Sequence, residues 1–271
     1  MIEPNYSEPV QRLFKLGEPQ SGKWLDYSAM GITPDDIPEL IRLVQDESMR
    51  WEEVSDDEYD LPEWYAQVHA WRALGQLKAE QAIPALIEIL HQVDDYDDDW
   101  TEEDLMDVFA LIGPAAIAPL AAYLANPENK TYARGAAAGS LAQIAKDNPD
   151  ARENCVAALA KALESFEQNN ATINAFIITE LVGLKAVEHI ALIEQAFQAD
   201  KVDEWVGGDF EDIQVNLGLL AERKTPARYA RFMPEPLAGA RAASHKSTKK
   251  EKAKRKQEKL SRKKNRKKKK K

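Results

Sequence analysis

A single cysteine, Cys155, stands in a chain of 271 residues. That excludes an internal disulfide framework and any CxxC metal knuckle, and it fits a reducing, cytoplasmic setting. Histidine is scarce as well, with only His69, His91, His189 and His245. None forms HExxH or the His-Glu pairs of a di-iron site, so metal hydrolase and hydroxylase chemistry find no ligands. No GxGxxG or GxxxxGK[ST] stretch is present to cradle a phosphate. Alternating apolar and polar runs are lacking, which removes a sheet from consideration. The N-terminus MIEPNYSEPV has no basic region followed by an apolar one, so no secretory signal is expected. With no catalytic constellation, no metal ligand set and no cofactor motif, the chain reads as a non-enzyme.

Long apolar runs are equally rare. Val108 to Ala125 is uncharged across 18 residues, but it contains Gly113-Pro114 and Pro119. A bilayer needs about 20 apolar residues in one helix. Two short helices joined by a turn are expected there, and no membrane span.

What the chain does have is charge, unevenly placed. Its net charge is −10. Residues 244–271 hold 17 Lys and Arg against 2 acids, a net of +15. The remaining 243 residues hold 19 basic and 44 acidic side chains, a net of −25. The chain as a whole therefore conceals an acidic body and a strongly basic tail. An apolar fraction of 44% leaves enough material for a core.

The body repeats. IPELIRLV (37–44), IPALIEIL (83–90), IAPLAAYL (117–124), VAALAKAL (156–163) and IALIEQAF (190–197) share apolar residues at i, i+3 and i+7, one helical stripe. Their starts are separated by 46, 34, 39 and 34 residues, the period of a two-helix unit. A second helix precedes most of them: 64–77, 105–113, 131–145 and 173–184, with a last candidate at 209–220. Start signals agree. Thr33-Pro34-Asp35-Asp36 places a cap, a proline and then acids against the helix dipole. Asp60-Leu61-Pro62-Glu63, Thr101-Glu102-Glu103-Asp104 and Asp209-Phe210-Glu211-Asp212 have capping-box spacing. One hairpin cannot bury its own stripe, whereas stacked hairpins can. The stripe predicts burial of Ile83, Leu86, Leu90, Ile117, Leu120, Leu124, Leu159, Leu163, Ile190, Ile193 and Phe197. The small residues of ARGAAAGSLAQIA (133–145) allow close helix approach.

The phrase AWRALGQLKAEQAIPALIEIL (70–90) resembles the HEAT-like repeat named after phycobilisome lyases, strongly there and diffusely over 33–197. WTEEDLMDVFALIGPAAIAPLAAYL and ADKVDEWVGGDFEDIQVNLGLL, within 98–221, look like bacterial HEAT-like proteins of unknown function. Some of those relatives end in a cysteine-rich SEC-C zinc knuckle. Here SRKKNRKKKKK stands in its place without a cysteine, so no zinc site is carried over. The resemblance implies an all-α fold, a right-handed α-solenoid of HEAT-like helical hairpins with a disordered basic C-terminal tail. The expected organisation is an N-terminal extension (1–32), the solenoid (33–221), a linker (222–243) and the tail (244–271). The resemblance is nearly silent on chemistry. A bilin-lyase-like enzyme, enzyme subunit or chaperone acting on phycobiliproteins is the alternative it leaves open.

Individual residues sharpen this. His69, among aromatic helix residues, is expected as a packing residue. Cys155 lies near a helix start, where the dipole could lower its pKa, but with no histidine near it in sequence it is expected as a buried structural thiol. Three acidic runs follow second helices: 52–60, 94–104 and 199–212. An EF-hand loop starting at Asp95 fails, because Trp100 takes the glycine position and Met106 the final glutamate position; a loose divalent site is left open. Stacked connections emerge on one edge. The candidate protein-binding residues are therefore Asp56, Asp57, Glu58, Asp95, Asp97, Asp98, Asp99, Trp100, Glu102, Asp203, Trp205 and Asp209. Trp51, Trp100 and Trp205 are expected to decorate that side. Helix capping and solubility form the competing reading of the acids.

The tail has one leucine and no aromatic residue, so it cannot fold alone. Such a polycation binds RNA, DNA or anionic membranes through counterion release. Its candidate contacts are Lys254, Arg255, Lys256, Arg262, Lys263, Lys264, Arg266, Lys267, Lys268, Lys269, Lys270 and Lys271. Without aromatics to stack on bases, no sequence preference is expected. Folding back on the acidic body, or solubility alone, are its other readings. The expected function is a non-enzymatic adaptor: the solenoid holds a protein partner, and the tail holds an anionic polymer such as RNA or the ribosome.

Overall fold

A computed structural model describes residues 6–20, 22–49, 61–96 and 99–226. These residues are all-α, and an isolated bridge between Gln20 and Lys23 is the single β feature among them. The helices from 33 onward pack in sequence as two rows.

The first row consists of α3 (Ala66–Gln76), α6 (Asp99–Ile112), α8 (Thr131–Asp147) and α10 (Ala171–Gly183), each packed on the next. The second row consists of α2 (Ile37–Val44), α4 (Ile83–Glu88), α7 (Ile117–Ala125), α9 (Arg152–Leu163) and α11 (Ile190–Gln198), again packed in order. Chain order alternates between the rows, which is the repeat-like arrangement the stripes require. α1 (Glu8–Leu13) packs on α3, α5 (Gln92–Tyr96) on α8, and α12 (Glu204–Gly207) and α13 (Phe210–Leu217) on α10.

A local rule produces the second row. Each of its helices is entered through a three-residue 3-10 turn: Pro34–Asp36, Glu80–Ala82, Pro114–Ala116, Pro149–Ala151 and Val187–His189. Proline fits there because its missing N–H would be an orphan anyway. Two first-row helices end in the same cap. Lys78 and Lys185 take left-handed backbone, and Ala79 N–H and Ala186 N–H bond back to Leu74 O and Leu181 O at 3.0 Å each. The close of one helix thus aims the chain into the next.

Most of the predicted core is buried. Ile83, Leu86, Leu90, Leu120, Leu124, Leu159, Leu163 and Ile193 are interior, while Ile117, Ile190 and Phe197 are half-buried against it. Ile190 and Phe197 lie on the last second-row helix, where the Phe197 ring meets that of Phe210 at 5.6 Å. The described part of the expected N-terminal extension is no appendage. Val10, Leu13, Tyr27 and Ile32 enter the same core.

No single helix among the described residues is long and apolar enough to cross a membrane. The uncharged stretch divides into the end of α6 and α7, and the pair bends by 117°. Gly113 makes the break with a φ of 91°, which glycine adopts without steric cost.

Candidate functional site

The connections between successive hairpins meet at the N-terminal ends of α8, α10 and α12. An α-helix leaves its first N–H groups unpaired, so an acceptor is needed at each of these ends. Asp94 supplies it for α8, accepting from Tyr132 N–H at 3.3 Å and Ala133 N–H at 2.6 Å. Asn170 supplies it for α10, accepting from Ile173 N–H at 2.9 Å and donating to Thr131 Oγ1 at 2.7 Å. Asp203 supplies it for α12, accepting from Trp205 N–H and from the Thr172 hydroxyl at 3.1 Å each. These bonds link Asp94, Thr131, Asn170, Thr172 and Asp203 into one ladder across three repeats. Asp95, an ion-pair partner of Lys130, flanks it. Asp94 and Asp203 are helix caps first, placed where the helix dipole favours a negative side chain.

Several expected site residues lie elsewhere. Asp56, Asp57, Glu58, Asp97, Asp98, Trp51 and the whole 244–271 tail are outside the described residues. Asp99 opens α6, two residues before the expected start, so Thr101 is no cap but a buried residue of the helix. Glu102 is exposed in the first turn. Trp100 does not decorate an edge. It is half-buried against the core, edge-on to Tyr65 at 6.4 Å. Trp205 is 62% exposed. Asp209 forms the expected capping box with Asp212, but it is also taken by Arg223, whose guanidinium donates to both its oxygens at 2.8 and 2.7 Å. Arg223 also pairs with Glu211 at 3.5 Å and with Asp212. Its hydrogen bonds hold the Asp209 carboxyl below the ordinary carboxylate range. The first residues of the expected linker are therefore fastened to α13.

A buried polar cluster escaped the sequence reading. Arg72 on α3 and Asp104 on α6 are both buried and form a two-pronged ion pair, Nε to Oδ2 at 2.5 Å and NH2 to Oδ1 at 2.9 Å. Trp71 Nε1 donates to the same carboxylate at 3.3 Å. The guanidinium lies 5.2 Å from the Trp24 ring and 5.6 Å from that of Trp100. One turn away, His69 Nδ1 meets the Tyr27 hydroxyl at 2.7 Å and His69 Nε2 meets Gly17 O at 2.9 Å. Burial pushes the His69 imidazole down to about 4. The signals were one arginine inside the apolar AWRALG and one aspartate in a run that reads as a cap.

This cluster is closed and mutually satisfied, so its chemistry is structural. Cys155 is likewise buried, and burial pushes its thiol up to about 11, the opposite of activation by a helix start. Among the described residues no three His, Cys, Asp or Glu side chains converge as a metal site requires.

A two-row stack of sequentially packed helical hairpins defines the class: a helical-repeat protein. The family model described as "Protein of unknown function (DUF1186)" matches residues 31–225, and the chain belongs to that family. The match takes in both rows and the Arg223 clamp, and leaves out α1 and the basic tail. No curated protein and no solved structure matches.

Proposed function

We propose that this chain is a non-enzymatic adaptor built on a HEAT-like repeat, holding a basic protein partner along its acidic edge and an anionic polymer such as RNA through residues 244–271. The observation that carries the reading is the charge division: +15 in the last 28 residues against −25 in the rest. Solubility needs only a net charge of one sign. Two strong opposite charges in separate parts give two surfaces with opposite preferences. The acidic body disfavours nucleic acid, which requires a basic surface. The tail favours it, because condensed counterions are released when lysines meet phosphates.

Affinity capture from the native cell with the intact chain and with a 1–243 truncation tests both halves. Protein partners should be retained by both, and RNA by the intact chain alone. RNA binding should be insensitive to sequence and fall steeply with added salt. Equal binding of a mixed RNA pool by both forms at low salt would remove the tail from the reading.

A further inference from the structure

At Thr225 a hydroxyl, an arginine and three carboxylates meet. The Thr225 hydroxyl donates to Glu211 Oε2, its N–H donates to the same oxygen at 3.1 Å, and Lys224 N–H donates to Glu211 Oε1 at 2.7 Å. Arg223 grips both oxygens of Asp209, pairs with Asp212, and donates through Nε to Thr225 O at 3.2 Å. The bonds from Thr225 and Lys224 hold the Glu211 carboxyl below its ordinary range, so it faces the hydroxyl as an anion. Yet the segment is neither helix nor strand, and both Thr225 and Pro226 are exposed. Proline restricts the residue before it to extended backbone. Arg223-Lys224-Thr225-Pro226 thus presents a hydroxyl on extended chain, with two cations directly before it and a proline directly after. Thr33 is also exposed before a proline, but it caps a helical turn, is followed by Asp35 and Asp36, and has no cation beside it in sequence.

We propose that Thr225 is a phosphorylation site and that its phosphate opens the Arg223 clamp. The Thr225 oxygen attacks the γ-phosphorus of a nucleoside triphosphate held by a protein kinase. The bond from that phosphorus to its bridging oxygen breaks, the nucleoside diphosphate leaves, and the hydroxyl proton passes to the kinase. Kinases discriminate substrates by the charges around the hydroxyl, and two adjacent cations stand out in a body of net charge −25. The product inverts the local chemistry. A group that donated to Glu211 becomes an acceptor carrying about −1.5 to −2 charge, set against a carboxylate. Its oxygens also compete for the Arg223 guanidinium two residues upstream, whose fork fits phosphate as it fits Asp209. Both effects break the contacts that fasten residues 223–225 to α13. The switch acts whatever the body and the tail bind.

The test uses the full chain with phosphothreonine placed at position 225 during synthesis, and reads amide hydrogen exchange residue by residue. The Lys224 and Thr225 amides should exchange at least about tenfold faster than in the unmodified chain, the loss of one charge-assisted hydrogen bond. The amides of α13 should keep their rates. Thr225→Val, which removes the hydroxyl bond without adding charge, should change the rates much less. Glu211→Gln in the phosphorylated chain should restore most of the protection, because a neutral amide accepts the same backbone bonds without repelling the phosphate. Unchanged exchange on phosphorylation would overturn the switch, and so would Thr225→Val exchanging as fast as the phosphorylated chain. Mass spectrometry of the chain taken from growing and starved native cells tests the site itself. Phosphate should be found on Thr225; phosphate only on Ser247, Thr248 or Ser261, or none at all, would overturn the proposal.

Discussion

Arg72 and Asp104 come from helices of successive hairpins and meet as a buried, two-pronged ion pair between two tryptophan rings. Removing one partner leaves the other charge buried without compensation, which costs about 3–5 kcal/mol. Asp104→Asn and Arg72→Met should each lower the unfolding free energy from urea titration by that much. The double variant Arg72→Met/Asp104→Leu should recover most of the loss, because an apolar pair carries no desolvation penalty. A double variant as unstable as the sum of the singles would show that the pair stabilises the fold outright.

His69 gives the stability a pH dependence of definite sign. Its folded imidazole titrates near 4 because it is buried, against an ordinary 6.5. Between those values the unfolded chain binds the proton and the folded chain does not. Stability from this group is therefore complete above pH 6.5 and declines as pH falls toward 4, by up to about 3 kcal/mol. Asp107 acts in the opposite direction, since partial desolvation and the nearby Asp104 and Asp147 carboxylates raise its carboxyl. His69→Gln should flatten the decline of the denaturation midpoint between pH 6.5 and 4. An unchanged slope in that variant would remove His69 as its source.

The legibility of this fold follows from where each helix sits. Second-row helices are packed on one face, so Ile37, Leu40, Leu43 and Val44 of α2 appear as a stripe, and Ile83 and Leu86 of α4 likewise. The cap at Thr33 and the capping box at Asp209 are local, within four residues, and both form as the sequence implies. α8 is different. Neighbours in both rows surround it, so Ala133, Ala136, Ala137, Gly139, Leu141 and Ile144 are buried around most of its circumference. No stripe can appear on such a helix, and its small residues are the remaining trace. The Arg72–Asp104 pair spans 32 residues of sequence. Its two halves each have an ordinary local reading, and nothing local joins them. The half-burial of Trp100 is likewise invisible locally, since the Arg72 guanidinium 5.6 Å from its ring is on another helix.

Close approach within the first row rests on glycine at defined points. A Cβ on Gly75 of α3 would stand 3.3 Å from the Val108 Cα and 3.4 Å from Leu111 Cδ1. The first of these is backbone and cannot swing aside. Gly75→Val should cost about 1–3 kcal/mol by overpacking the α3–α6 crossing. Gly183 has open space around its Cβ position, so Gly183→Ala should be neutral or stabilising by about 1 kcal/mol through helix propensity. Thermal melts of the two variants should move apart; movement in the same direction would mean that the crossing is looser than its distances imply.

Leu86 offers a direct check on the repeat register. It is fully buried on α4, in the middle of the second stripe. Leu86→Ala should cost about 2–5 kcal/mol, the usual loss when a core leucine is truncated. An unaltered midpoint in urea would show that α4 does not bury this face.

The Arg223 clamp fastens residues 223–225 to the start of α13. Arg223 is paired with Asp209, Glu211 and Asp212, all at the start of α13. Lys224 N–H and Thr225 N–H donate to the Glu211 carboxylate at 2.7 and 3.1 Å, so the backbone of 224–225 is held as well. Arg223 removes part of the repulsion among the three carboxylates, while the helix N-terminus favours their charge independently. α13 should therefore survive loss of the arginine, and the chain beyond it should not stay attached. A protease must open several residues of backbone around the bond it cuts. Trypsin should cleave after Lys224 slowly in the native chain and several-fold faster in Arg223→Gln. Far-UV helicity should be the same in both. Added salt should speed cleavage of the native chain toward the variant's rate, since ions screen the clamp. Equal cleavage rates at low salt would show that the Glu211 hydrogen bonds alone hold the segment, and Glu211→Ala would then be the variant that frees it.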